Sequence, residues 1–210
     1  MSSDLAAGVA VQAVPTFLVR ARRLIPAFVV MLFPVVLQGA SDGPDSGDVV
    51  LTDSDEAGGP PFATLDVTNG SNLALGGDET TTVDLPFDFD WYGETVSEMV
   101  VSSNGAVFFG EGLSDADGLC PGDGEDYNGI AVFWDDWAAG SVMMDSFGYY
   151  PYRATAVEWS GAHEDVGGEG LVQLWLLEAR QEAVIVLDDV TFGDASVDGG
   201  ASAVVGAQGS

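Results

Sequence analysis

The stretch TTTVDLPFDFDWYG at residues 80–93 decides the fold. Over the nine positions 83–91, five apolar residues alternate with aspartate or proline, and Thr82 precedes them. This is the period-2 pattern of a β-strand with one buried and one solvated face. The five apolar residues are Val83, Leu85, Phe87, Phe89 and Trp91.

Two later segments extend the same pattern. VSEMVVSSNGAVFFG at residues 96–110 carries two apolar runs on either side of Asn104-Gly105. This dipeptide accepts positive φ at both of its positions, so it predicts a β-hairpin with a type I′ turn. IAVFWDDW at residues 130–137 adds a strand that ends in two aspartates.

Short apolar segments separated by Gly, Asn, Asp or Pro continue to the end of the chain. Residues 171–190 are rich in Val, Ile, Leu and Trp, which favours a buried hairpin over a single helix. The sequence therefore predicts an all-β fold, a single antiparallel β-sandwich of jelly-roll-like type. The predicted strands are 63–68, 72–75, 80–92, 98–103, 106–109, 130–134, 141–145, 153–159, 171–178, 183–188 and 202–207.

The charge of the chain restricts its partners. Its 210 residues hold 34 acidic and only 5 basic side chains, with no lysine, for a formal net charge of -29. Such a surface repels phosphate backbones and anionic lipids, which excludes nucleic-acid binding. It favours solubility, divalent cations, basic partners or a salty medium.

The N-terminal region has the pattern of an export signal. Arg20, Arg22 and Arg23 precede an apolar run at residues 24–37 and the small residues of 39–41. The run is shorter than the roughly 20 residues of a membrane-spanning helix. We therefore predict a helical signal segment over residues 1–41, cleaved after Ser41. An uncleaved signal anchor, which would be the only membrane contact, and a buried helix are the alternatives.

An acidic linker is predicted to follow this leader. Residues 42–61 are rich in Asp, Ser, Gly and Pro, and only residues 49–52 suit a short strand. The β-sandwich domain is then predicted to occupy residues 62–210. An exported chain of this kind is secreted or held at the cell surface.

The motifs of residues 80–137 resemble those of a bacterial family of secreted β-sandwich modules. More remotely, they are similar to the NIDO extracellular domain of nidogen and tectorin-type proteins. The resemblance implies an extracellular, non-catalytic module used in adhesion, matrix or surface assemblies, with a surface protein or a glycan as partner. It is carried by Phe87, Phe89, Tyr92, Gly93, Asn104, Gly105, Phe109, Gly110, Ile130, Ala131, Phe133, Trp134 and Asp136.

One loop is a candidate for calcium, the only cofactor that the sequence suggests. Calcium takes six to eight oxygen ligands, and several carboxylates within a dozen residues can supply them. The spacing does not fit an EF-hand, and a plain solvated loop is favoured over a calcium site. The candidate ligands are Asp115, Asp117, Asp123, Glu125 and Asp126. The lone Cys120 in this loop has no internal disulfide partner.

A second candidate site is Asp135-Asp136-Trp137. Trp137 is the tryptophan expected near the surface, where an aromatic ring beside carboxylates suits a sugar ligand. Neighbouring aspartates on a strand point to opposite faces, which argues against a glycosidase pair. His163 begins an HExxH-like motif, but Gly167 replaces the second histidine, so a surface histidine is expected.

These observations predict an exported module without enzymatic activity, structural or adhesive in role. A calcium- or carbohydrate-binding domain is the first alternative. A hydrolase acting on glycosides is the second, and it would need carboxylates from separate strands in one cleft.

Overall fold

The computed structural model of the chain describes residues 16–21, 43–45, 47–54, 56, 59–113, 127–138 and 140–209. Within these residues the chain forms β-strands, one short 3₁₀ helix at Asp198–Gly200 and no α-helix. The strands build two antiparallel sheets arranged as a sandwich. The predicted all-β fold class is confirmed.

The first sheet contains seven strands among the described residues. In spatial order they are β2 (Val49–Asp53), β1 (Thr16–Ala21), β11 (Glu182–Asp189), β10 (Gly167–Leu177), β9 (Ala154–His163), β8 (Ser141–Phe147) and β3 (Ser71–Asn72).

The second sheet contains five strands in the described part of the chain. In spatial order they are β12 (Val204–Gln208), β7 (Gly129–Trp134), β6 (Ala106–Phe108), β5 (Glu94–Ser102) and β4 (Thr80–Trp91).

Strand β4 has the alternating burial pattern that its sequence predicts. Leu85, Phe87, Phe89 and Trp91 are buried, and the residues between them are exposed. Pro86 lies where the ladder between β4 and β5 shifts register, so its missing N–H costs no regular hydrogen bond. Because β4 is an edge strand of its sheet, the proline is tolerated there.

The main hydrophobic core lies between the two sheets. A second, smaller hydrophobic cluster covers the opposite face of β6 and β7. The main cluster joins Phe89, Val107 and Ile130 of one sheet to Trp159 and Leu174 of the other. Because side chains alternate along a strand, the neighbours of Val107 and Ile130 point away from this core. They pack in the smaller cluster, which contains Ala106, Phe108, Tyr127, Ala131, Trp134 and Val204.

The turns of the second sheet differ from the prediction. The loop between β5 and β6 has three residues, 103–105, and within it positive φ occurs only at Gly105. The predicted type I′ turn at Asn104-Gly105 is therefore wrong, because this geometry is a three-residue hairpin with a left-handed final residue. Positive φ at two successive residues is found instead at Tyr92-Gly93, between β4 and β5.

Two of the predicted strands fail. Residues 63–68 form no strand, and the one predicted over 72–75 is reduced to β3. Gln173 bonds the backbone of the first segment with its side chain: Oε1 accepts from Leu65 N at 3.0 Å and Nε2 donates to Leu65 O at 2.8 Å. A side chain thus satisfies backbone groups that a neighbouring strand would otherwise pair. The hairpin predicted over residues 171–190 is confirmed by β10 and β11.

Strand β1 lies inside the predicted leader, and β2 inside the predicted linker. Residues 16–20 pair with β11, and residues 17–21 pair with β2. The apolar run at 24–37 lies outside the described residues, so the helical signal segment and its cleavage stay predictions. In the first sheet β1 lies between β2 and β11. Cleavage after Ser41 would therefore remove β1 and leave β2 and β11 without the strand that joins them.

Candidate functional site

A cluster of polar side chains lies where β7 ends. Trp134 of β7 pairs with Val204 of β12, and the chain then runs through Asp135 to Trp137. Trp137 forms an isolated bridge with His163, the last residue of β9. Residues from both sheets therefore meet at this end of the sandwich.

Asp135 is the centre of this cluster. It is 6% exposed, and the hydroxyl of Ser202 donates to its Oδ2 at 2.6 Å. The backbone N–H of Asp136 donates to Oδ1 at 3.0 Å, and Nε2 of His163 lies 3.4 Å from the same oxygen. Both carboxylate oxygens of Asp135 therefore have polar partners inside the protein.

His163 is buried beside Asp135, so the expectation of a surface histidine is wrong. Its Nδ1 accepts a hydrogen bond of 3.2 Å from the backbone N–H of Asp165. The other ring nitrogen, Nε2, faces the carboxylate of Asp135. The ring also packs edge-on against Phe192, with centroids 5.8 Å apart.

Asp136 differs from its neighbour in environment. It is half-buried, and desolvation raises the pKa of its carboxyl above the ordinary value of 3.8. The charge of Asp78 raises it further, whereas His163 acts in the opposite direction. Asp78 is itself held near the site because Nδ2 of Asn104 donates to its Oδ1 at 2.9 Å.

Trp137 is buried, so the expectation that it lies near the surface is wrong. Its side chain is 4% exposed, and Nε1 donates to the backbone oxygen of Phe133 at 3.0 Å. The indole packs edge-on against Phe133 and Phe192. It therefore offers no free face to a sugar ring. The tryptophan with a half-exposed side chain is Trp175.

The order of groups in this cluster does not suit nucleophilic catalysis. In a Ser-His-Asp triad the histidine lies between the other two and takes the serine proton. Here Asp135 lies in the middle, bonded to Ser202 on one side and close to His163 on the other. Since Asp135 is bonded internally and Asp136 is half-buried, the arrangement suits a structural lock between the sheets.

The calcium candidates Asp115, Asp117, Asp123, Glu125 and Asp126, with Cys120, lie outside the described residues. In the part of the chain that is described, no three His, Cys, Asp or Glu residues are placed to hold a metal ion. The calcium loop and the ligand role of Asp135 and Asp136 therefore stay predictions.

Two open grooves lie away from this cluster. One, of about 540 Å³, is lined by small residues such as Gly161 and Gly170, with Glu169 and Asp189 among its acidic residues. The other, of about 490 Å³, is lined by Pro60, Trp175 and Arg180 among others. No residue of the Asp135 cluster lines either groove, and no described helix is long and apolar enough to cross a membrane.

The fold and the internally bonded polar cluster define a class of protein, the β-sandwich modules. A family model described as "NIDO related" matches residues 54–210. The chain belongs to the NIDO-related family, whose domains are extracellular and of a non-enzymatic kind. Comparison with curated proteins and with solved structures gave no match. The resemblance drawn from Phe87, Asn104 and Trp134 is thus confirmed, and a bacterial origin stays a prediction.

Proposed function

We propose that this chain is exported and serves outside the cell as a non-catalytic structural or adhesive module. The observation that carries the proposal is the family match, because residues 54–210 include every strand from β3 to β12. The export pattern of residues 20–41 supports the same location.

The polar cluster supports a structural role for the residues that most resemble a catalytic site. Asp135 joins the end of β7 to His163 on β9 and to Ser202 before β12. The hydrogen bond from Ser202 and the 3.4 Å approach of His163 Nε2 to the same carboxylate hold these elements in one arrangement. A module that bears load between partners benefits from sheets joined in this way.

The acidic surface supports an extracellular role as well. Arg153 and Arg180 are the only basic residues in residues 42–210, against 33 acidic ones. Such a surface keeps copies of the module apart through mutual repulsion and attracts basic partners. In a saline medium the repulsion is screened over roughly 10 Å or less.

The location can be tested by fractionating cells that produce the chain with a C-terminal tag. We expect the protein in the medium or at the cell surface, with a mature N-terminus at Asp42. The matched control is Val30→Asp, which puts a charge into the apolar run and is expected to retain the protein inside. Recovery of the parent chain inside the cell with residues 1–41 intact would contradict the proposal.

The adhesive part of the proposal needs a separate measurement. Cells that lack the protein are compared with parent cells for attachment to a coated surface and to one another. We expect weaker attachment, restored when the purified protein is added. Unchanged attachment would leave only the structural role.

A further inference from the structure

Three large aromatic side chains are exposed together at one tip of the sandwich. Tyr149, Tyr150 and Tyr152 are 82%, 77% and 73% exposed. We call them the tyrosine tip. Only Phe62 and Val166 are also large, apolar and exposed in the described part of the chain, and both are more covered. Clustering of exposed aromatics marks an interaction surface, whereas single exposed residues do not.

The tip is the turn of the hairpin between β8 and β9. Phe147 pairs with Ala154, and the N–H of Tyr152 donates to the oxygen of Tyr149 at 2.8 Å. Gly148 has a φ of +76, and a Cβ there would lie 2.4 Å from the oxygen of Tyr152. This turn therefore has a defined backbone, and the exposure of its rings follows from that geometry.

Arg153, the residue directly before β9, makes side-chain contacts that hold the turn of the tyrosine tip in place. Its Nε donates to Oε2 of Glu178 at 2.8 Å, and its Nη2 donates to Oε1 at 2.5 Å. Its Nη1 donates to the backbone oxygen of Pro86, and the guanidinium lies 5.9 Å from the ring centre of Tyr150. A binding surface that is already ordered loses less entropy when a partner docks.

Three exposed aspartates lie on the part of β4 that Arg153 contacts. Asp84, Asp88 and Asp90 alternate on the exposed face of β4, on both sides of the Pro86 that Arg153 contacts. The charge of Asp88 contributes to the raised pKa of Arg153, after the larger effects of Glu178. We call these three residues the aspartate row. Arg153 is bonded to Glu178, so it does not neutralise the row.

We infer that the tyrosine tip and the aspartate row together bind a basic segment of a partner polypeptide. Tyrosine faces attract lysine and arginine side chains through the ring quadrupole, and aspartates pair with the same groups. A second copy of this chain is disfavoured because it carries the same large negative charge. The inference rests on the proposed function and names the chemistry of the partner.

The probe is a short labelled peptide of alternating lysine and alanine, titrated with the purified protein while its fluorescence anisotropy is followed. We expect saturable binding that weakens about tenfold in Tyr149→Ala/Tyr152→Ala. Tyr149→Phe/Tyr152→Phe keeps the ring faces and is expected to bind like the parent. Asp84→Asn/Asp88→Asn/Asp90→Asn is expected to bind weakly and to lose most of its salt dependence.

Phe62→Ala is the control for loss of an exposed aromatic elsewhere, and it is expected to change nothing. All five proteins are compared by thermal unfolding, because the substituted side chains are exposed and should leave the fold intact. Equal peptide binding by the parent and Tyr149→Ala/Tyr152→Ala would show charge attraction alone and overturn the inference.

Two other outcomes would assign the tip to another occupant and also overturn the inference. One is binding of a neutral oligosaccharide panel that is lost in the alanine variant. The other is a dimer of the parent, seen by sedimentation, that the alanine variant does not form. None of these results depends on where the cell places the protein, so the location experiment succeeds or fails separately.

Discussion

Ser202 donates a 2.6 Å hydrogen bond to Asp135 across 67 residues of sequence, and the bond joins the loop before β12 to the end of β7. Asp135 is buried, although Ser202 itself is exposed, so the buried carboxylate loses one of its few partners when the hydroxyl is removed. Ser202→Ala is therefore expected to lower the free energy of unfolding by about 1.5 kcal/mol. Denaturant unfolding measures this loss.

A matched control for this bond exists in the same chain. Ser196 donates to Oδ1 of Asp194, also at 2.6 Å, but both residues are exposed. Water can solvate Asp194 after Ser196→Ala, so the loss of stability is expected to be much smaller. Equal losses in the two variants would show that burial of Asp135 adds nothing to its hydrogen bond.

The pH dependence of stability is expected to carry a contribution from Asp136. Burial raises the pKa of this carboxyl in the folded protein above 3.8, so the folded state binds the proton more tightly than the unfolded state. As the pH falls from neutral through the raised pKa, the parent is expected to gain stability relative to Asp136→Asn.

Other carboxylates change stability with pH in the opposite direction. The effect of Asp136 is therefore measured as the difference in unfolding free energy between the parent and Asp136→Asn. The pKa values of Asp66 and Asp194 are lowered by hydrogen bonds from Thr68 and Ser196, so their contributions are lost as the pH falls. Both proteins contain these groups, and subtraction removes their effect. Parallel curves of unfolding free energy against pH would refute the role assigned to Asp136.

Alanine substitutions at Gly93 and Gly105 distinguish the cost of a left-handed backbone from the cost of a steric clash. Gly93 has a φ of +86 with open space around it, whereas Gly105 has a φ of +78 and a Cβ there would lie 2.1 Å from the oxygen of Phe133. Gly93→Ala is expected to cost about 1 kcal/mol from the left-handed backbone alone. Gly105→Ala adds overpacking and is expected to cost about 3 kcal/mol.

Thermal and denaturant unfolding of the two alanine variants test this difference. Both substitutions remove a glycine from a hairpin turn of the same sheet, so the unfolded chains change alike. Losses of similar size would mean that Phe133 moves away without cost.

The parts of the fold that are encoded locally were predictable. The alternation of Phe87, Phe89 and Trp91 with other residues predicts the buried face of β4, and the structure buries all three side chains. The turn chemistry was not predictable to the same degree. Tyr92 takes a positive φ of 48, a conformation that its residue type does not suggest. Its ring packs against Trp91 and its hydroxyl donates to Asp45, so tertiary contacts hold this turn.

The candidate site was predictable only in part for the same reason. The sequence marks Asp135 and Asp136 as a candidate pair, but their partners come from distant segments. His163 and Ser202 reach Asp135 only because the two sheets pack against each other. A lone histidine and an ordinary serine carry no local pattern that reveals this pairing, and the burial of Trp137 likewise depends on Phe192.

Weak calcium binding by the loop of residues 114–126 is expected if its carboxylates converge. Calorimetric titration with calcium is expected to give a dissociation constant on the order of 10⁻⁴ to 10⁻³ M, the range typical of extracellular modules. Asp123→Asn/Asp126→Asn should abolish the signal. Asp188→Asn/Asp189→Asn, which removes the same charge from the first sheet, should preserve it. Loss of the signal in both would mean a general charge effect.

Removal of residues 1–41 is expected to change one edge of the first sheet. Residues 16–20 pair with β11, and β11 is paired with β10 on its other side. Without β1, the outward-facing amides of β11 lose their hydrogen bonds and are expected to exchange with deuterium faster. The amides of β11 that face β10 should remain protected, because that pairing is intact.

The internal reference for this experiment is β9, which pairs with β10 and β8 and is separated from the removed strand by β10 and β11. Its amides should exchange at the same rate in both proteins. Faster exchange there as well would indicate general destabilisation. Unchanged protection of β11 would mean that another strand has replaced β1, and β2 is the nearest one, since it pairs with β1 over residues 49–53. An open edge on β11 would also be able to accept a strand from a partner, because unpaired backbone groups of an edge bind further strands.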